Sequence, residues 1–174
     1  MALYAASHTR LATILMLLAL LPMLCACAKP PAAPVIVAPA PPPPPPPPTV
    51  LKVDVVAATN ANPDSHGRAS PVVVRLLELK SLAAFQNADF FALFERDKET
   101  LSSDLVAKDE IVLHPGDRRE FKRELNADTR FIAVVAAYRD IERSRWRAST
   151  PVKLNQTTPV SISVQEQEII VTSK

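Results

Sequence analysis

Pro71-Val-Val-Val-Arg-Leu-Leu-Glu-Leu79 and Phe131-Ile-Ala-Val-Val-Ala-Ala-Tyr138 are nearly continuous apolar runs of strand length, the pattern expected of central strands in a β-sandwich. Outward from these two runs the period is two. Leu51, Val53 and Val55 alternate with Lys52 and Asp54, and Val160, Ile162 and Val164 alternate with Ser161, Ser163 and Gln165. Successive side chains of a strand point to opposite faces, so this alternation buries one face and wets the other. Ile111–His114, Glu120–Leu125, Trp146–Ser149 and Ile169–Thr172 are shorter candidates, bringing the total to about eight strands. Turn signals fall between them at Asn62-Pro63-Asp64, His114-Pro115-Gly116-Asp117 and Asn126-Ala127-Asp128.

One stretch breaks the rhythm. Between Ser81 and Val106 the residues Phe90, Leu93, Phe94, Leu101 and Leu105 recur at helical spacing, with Ser81 and Asp89 as candidate N-caps. Four of the six phenylalanines lie in Phe85–Phe94, which predicts a short helical excursion packed onto the sheet rather than a ligand pocket. The fold class is mainly β: a two-sheet sandwich with one short helical insertion.

The N-terminus is of a different kind. Arg10 supplies a short basic region, and Leu11–Leu21 is an apolar run of signal-peptide length. It falls short of the roughly 20 apolar residues that a membrane-spanning helix needs. Leu24-Cys25-Ala26-Cys27 resembles the bacterial lipobox, with Leu at −3, a small residue at −1 and Cys27 as the acylated first residue. Cys25 is the poorer candidate, because bulky Leu24 would then occupy the cleavage position. Both cysteines of the chain fall in this zone, so a body cleaved before Cys27 has neither a disulfide nor a free thiol nucleophile. Ala28 follows, where an aspartate would resemble the inner-membrane retention signal; its absence favours the outer membrane. Pro30, Pro31, Pro34 and Pro39 lead into the run Pro41–Pro48, which favours polyproline II. At about 3.1 Å per residue that run spans roughly 25 Å. The expected organisation is residues 1–26 signal peptide, 27–48 acylated cysteine and proline-rich tether, and 49–174 one periplasmic sandwich domain.

The search for chemistry is nearly empty. His66 and His114 belong to no spaced metal motif, and no Gly-x-Ser-x-Gly or glycine-rich phosphate loop is present; the whole chain has two glycines, Gly67 and Gly116. The carboxylates Glu166 and Glu168 read as the solvated edge of a strand. Arg139-Asp-Ile-Glu-Arg-Ser-Arg-Trp-Arg147 alternates in sign and reads as a solvated loop with local ion pairs, Trp146 folding back onto the core. With 20 basic against 18 acidic residues and no basic block, nucleic acid is not an expected partner. No catalytic residue, metal ligand or cofactor is assigned, and no small-molecule substrate is expected. The alternative class is a lipid-anchored periplasmic carrier with a sandwich cavity for a small apolar ligand, which would show as an enclosed pocket lined by the phenylalanines.

An ordered series of short motifs runs through the body: Asn62-Pro63-Asp64, Gly67-Arg68, Ser70-Pro-Val-Val-Val-Arg75, Leu79-Lys80, Phe85, Ala88-Asp-Phe-Phe91, Leu93, Pro115-Gly116, Ala136-Ala-Tyr-Arg-Asp140 and Trp146-Arg147. Together with the lipobox, this series resembles the outer-membrane lipoprotein family of the type VI secretion system, TssJ (SciN-like), over about Leu51–Thr172. The tether is richer in proline than the family's usual one. The resemblance implies a transthyretin-like sandwich with an added helical element, anchored in the outer membrane by acyl chains on Cys27. It further implies a structural role, binding the periplasmic C-terminal region of the inner-membrane protein TssM and through it TssL.

In that family the loop between the first two strands is the main TssM contact, which in this chain falls on Thr59–Ser70. The loop is long and polar for a hairpin connection, where two to five residues are usual. Its candidate binding residues are Asn60, Asn62, Pro63, Asp64, His66, Gly67 and Arg68. Few apolar side chains lie in it, so the sequence predicts little contribution to the core. Pro63 and Pro71 restrict the backbone at or beside its ends, lowering the ordering cost on binding.

Overall fold

The computed structural model describes residues 42–173. The expected signal peptide, Cys27 and the tether up to Pro41 lie outside the described residues, whereas Pro42–Pro48 are exposed and join no helix or strand.

Eight strands form two four-stranded sheets. They are β1 Val50–Ala57, β2 Val72–Leu79, β3 Leu105–Leu113, β4 Arg118–Glu124, β5 Phe131–Ala137, β6 Arg147–Pro151, β7 Thr157–Val164 and β8 Ile169–Ser173. The first sheet has the order β4-β1-β7-β8 and the second β3-β2-β5-β6. In the first sheet β1 runs antiparallel to β4 and parallel to β7, in register with both along its length. Every pairing in the second sheet is antiparallel.

The two kinds of strand pattern have a direct physical cause. Leu51, Val53, Val55 and Ala57 of β1, with Val160, Ile162 and Val164 of β7, point between the sheets, while Lys52 and Asp54 face outward. The second sheet is covered on both sides, so its central strands cannot alternate. Val72, Val74 and Leu76 of β2 and Ile132, Val134 and Ala136 of β5 meet the first sheet. Their neighbours Leu77, Leu79, Ala133 and Val135 face a second apolar cluster built from the connection after β2.

That connection holds three short helices, α1 Ala83–Asn87, α2 Phe90–Glu95 and α3 Asp97–Leu101, followed by a 3-10 turn at Ser102–Asp104. Asp89 caps α2, its side chain accepting the Ala92 amide at 2.8 Å. Ser81 Oγ accepts the Ala83 amide at 3.2 Å, just before α1, whose N-cap position is Leu82. Phe85, Phe90, Leu93 and Leu101 are buried against the sheet. Phe90 stacks on Phe94 at 5.1 Å and meets Trp146 edge-on at 5.4 Å, so these rings fill the space between helices and sheet. Two arginines of the sheet hold the layer down. Arg147 Nη1 donates to the Phe85 and Ala88 carbonyls at 2.9 and 2.7 Å, and Arg75 reaches the Phe94 carbonyl with its guanidinium over the Phe94 ring.

Two expectations need correction. Leu105 opens β3 and is not helical, and β3 starts six residues before the expected Ile111. It is an edge strand whose Lys108, Asp109 and Glu110 are exposed, which hides the alternation and guards the edge against further pairing. Glu166 and Glu168 lie on the β7–β8 connection rather than on a strand, Glu168 making an isolated bridge to Arg145.

The strands give the sandwich two ends. Thr49, the β4–β5 connection and the β6–β7 connection share one: Leu125 N donates to Thr49 O at 2.9 Å and Asn155 N to Thr49 Oγ1 at 2.9 Å. The β1–β2, β3–β4, β5–β6 and β7–β8 connections share the other. There Ala57 N donates to Asp117 O at 2.9 Å and Ala58 N to Val164 O at 2.8 Å.

Candidate functional site: the loop end of the sandwich

The β1–β2 connection has an ordered tip and a buried base. At the tip, Asp64 Oδ1 accepts the amides of His66 and Arg68 at 2.8 and 3.0 Å. Its Oδ2 takes Arg68 Nε at 2.8 Å and Nη2 at 2.7 Å. Asp64 N donates to Arg68 O, and Gly67 N to Asp64 O, both at 2.9 Å. Gly67 has φ +75°, a conformation that costs a side-chain-bearing residue steric strain, so glycine closes this turn. The Arg68 amide and guanidinium hold the Asp64 carboxyl below the usual carboxylate range against the opposing effect of burial, with smaller help from the His66 amide and the Arg139 charge. His66 is exposed, with Nδ1 3.3 Å from Ser65 Oγ.

The base departs from the expectation that this loop adds little to the core. Ala61 is fully buried in the intersheet cluster, and Asn62 is 3% exposed. Asn62 Nδ2 donates to Pro71 O at 2.7 Å, its Oδ1 accepts the Arg139 amide at 2.8 Å, and its own amide donates to Glu166 O at 3.0 Å. It sits at φ +52°, a left-handed conformation that asparagine tolerates better than most residues. A buried amide side chain needs its polar atoms bonded, and here both ends of the group are used on backbone. Asn60 is exposed and reaches Glu166 Oε2 at 3.1 Å.

Six of the seven candidate residues therefore lie toward the surface, with Pro63 and Asp64 half-buried; Asn62 faces inward. Pro63, Asp64, His66 and Arg68 line one side of an open cleft of about 740 Å³, and Arg139, Asp140, Arg143 and Gln167 line the other. Of the expected local pairs on the β5–β6 connection, Arg143 meets Asp140 at 3.7 Å, whereas Arg145 reaches across to Glu168 on the β7–β8 connection at 2.9 Å. The meeting of the β5–β6 connection with the β1–β2 loop was not legible in the sequence, because more than 70 residues separate Asn62 from Arg139 and the contact is side chain to backbone. Tyr138, pushed up in pKa by burial and then by Glu168, donates from its phenol to Gln165 O at 3.3 Å and ties the β5–β6 and β7–β8 connections together.

Among the described residues no group of three or more His, Cys, Asp or Glu side chains is placed to hold a metal ion, and no helix is long and apolar enough to cross a membrane.

A family model described as T6SS-SciN, type VI secretion lipoprotein (VasD, EvfM, TssJ), matches residues 49–167. This chain belongs to the type VI secretion lipoprotein family. Solved structures agree with that membership. The T6SS lipoprotein TssJ1 from Pseudomonas aeruginosa is 41% identical, with TM-score 0.71 over 74% of this chain and 98% of that one. Lip of Serratia marcescens, a membrane-bound component of the type VI secretion system, is 25% identical, with TM-score 0.67 over 73% and 98%. A chain in a structure described as the T6SS protein TssM C-terminal domain from EAEC is 25% identical, with TM-score 0.60 over 71% and 98%. Comparison with curated proteins gave no match. The matched family is that of a structural lipoprotein of the secretion machine, and the two four-stranded sheets with short helices are the architecture shared with its solved members.

Proposed function

We propose that the protein is the outer-membrane lipoprotein of a type VI secretion membrane complex, recruiting the periplasmic C-terminal region of TssM and through it TssL. Acyl chains on Cys27 hold it to the periplasmic face of the outer membrane. The proline-rich segment of residues 27–48 spaces the sandwich from the bilayer, and the β1–β2 loop makes the partner contact. The observation carrying this reading is the loop itself, a polar surface tip pinned by Asp64 and rooted in the core by Asn62, on a TssJ-family sandwich. Recognition is commonly placed on loops held by a rigid scaffold. A loop already fixed in the free protein loses little freedom on binding, so more of its contact energy appears as affinity. The occurrence of a similar chain in a structure named for the TssM C-terminal domain supports the choice of partner.

Calorimetry between the protein in detergent and the TssM region tests the reading. Replacing Asp64–Arg68 by a Gly/Ser turn while keeping Asn62 should leave the fold intact and weaken binding at least tenfold, about 1.4 kcal/mol. Unchanged affinity in the folded variant would move the contact to another face.

A further inference from the structure

We propose that the partner surface is a composite of the β1–β2, β5–β6 and β7–β8 connections, fused into one unit by Asn62, which positions Arg139 as a charged contact residue. The proposal rests on the functional reading above and extends it to residues outside the β1–β2 loop.

Asn62 bonds three chain segments at once: the start of β2 through Pro71 O, the β5–β6 connection through the Arg139 amide and the β7–β8 connection through Glu166 O. None of these partners is replaceable by solvent at a residue 3% exposed. Immediately beyond the bonded Arg139 amide, the exposed Arg139 side chain enters the same cleft as Asp64 and Arg68. Charge accounting inside that cleft is specific. Asp64 is taken by Arg68 at 2.7 Å and Asp140 pairs with Arg143 at 3.7 Å. Arg139 forms no ion pair among the described residues; Asp64 feels its charge but is bonded by Arg68, so a planar, permanently charged fork is left on the lining of a preordered cleft. Such a group suits a carboxylate of the partner, bound bidentately. Asn62 itself is too buried to touch a partner and acts by fixing where Arg139 stands.

The test uses the full protein in detergent, the TssM C-terminal periplasmic region, and a double-mutant cycle. Asn62→Gly keeps the left-handed backbone and removes both side-chain bonds; Arg139→Ala removes the fork without touching a buried group. Each should weaken binding about tenfold, Arg139→Glu should weaken it further, and the double variant N62G/R139A should lose no more than about threefold beyond N62G. Hydrogen exchange should show the Arg139 amide deprotected in N62G at a temperature where melting curves show the fold intact. Full additivity near a hundredfold, or retained Arg139 protection in N62G, would overturn the positioning role. Wild-type affinity in R139A would overturn the composite surface even if N62G failed to fold, while loss of binding in the β1–β2 tip variant would leave the functional reading standing. Failure of the wild-type protein to bind the TssM region at all would remove that reading and the proposed surface together.

Discussion

Glu78 on β2 and Arg123 on β4 meet across the two sheets, with Glu78 Oε1 2.9 Å from Arg123 Nη2. Glu78 is 3% exposed on a face otherwise filled by Val72, Val74 and Leu76. Its second oxygen accepts Thr129 Oγ1 at 2.7 Å and the Asn126 amide at 3.3 Å, while Arg123 also pairs with Asp109. Nη2 lies within ion-pair range of Glu78 without hydrogen-bond alignment. Removing one member of a buried ion pair costs about 3–5 kcal/mol, and Arg123 keeps partial solvent contact, so Glu78→Leu should destabilise by about 2–4 kcal/mol. Glu78→Gln preserves an acceptor for Thr129 and should cost less. Urea denaturation would check the order; equal losses would show that the charge is immaterial.

The turn at Asp64 should carry an acid limit. Its carboxylate accepts the His66 and Arg68 amides and the Arg68 guanidinium, and protonation weakens these bonds. A folded pKa lowered from the ordinary 3.8 means that the ordering is fully present above that value and is lost as pH falls through the lower folded one. The amide chemical shift of Arg68 should follow an acid titration whose midpoint lies below 3.8. Movement centred above 3.8 would contradict the bonding of the Asp64 carboxylate to this amide.

Arg147 ties the helical layer to β6 through two carbonyls. Hydrogen bonds from a charged donor are worth about 1.5–3 kcal/mol each, and Arg147 is only half-buried, so Arg147→Ala should cost about 2–3 kcal/mol in denaturant unfolding. Amide exchange in Ala83–Asn87 should rise in this variant, with β1 and β7 unchanged. Uniform loss of protection across both sheets would show that the layer is not a separate unit.

For the anchor, Cys27→Ser should abolish palmitate labelling and release the protein from the outer-membrane fraction, whereas Cys25→Ser should do neither. Label persisting on the Cys27 variant would show that the acylation site has been misassigned.

The fold was legible wherever side-chain pattern and environment correspond one to one. β1 and β7, half-buried, alternate; β2 and β5, covered by sheet on one side and helices on the other, do not. The edge strand β3 was half missed because Lys108, Asp109 and Glu110 lie where neither face is fully covered. At the candidate site the sequence marked the polar tip and its turn residues, but Asn62 reads as one more turn asparagine. Its burial and its bond to Arg139 depend on how distant connections converge, which no local spacing encodes.

Finally, β1 runs without interruption from Thr49, where the tether enters, to the root of the β1–β2 loop, about 26 Å at roughly 3.3 Å per residue. It has a bonded neighbour on each side over its length. Tension between a lipid anchor and a partner held at the loop would therefore run along this one strand. The load would fall on its two ladders together in shear, because their bonds lie across the pulling direction. An edge strand pulled the same way would have one ladder to carry the load. Forced unfolding is governed by the unfolding barrier rather than by equilibrium stability. The topology thus suits pull applied between the start of β1 and the β1–β2 loop, with its resistance concentrated in a central strand of the first sheet.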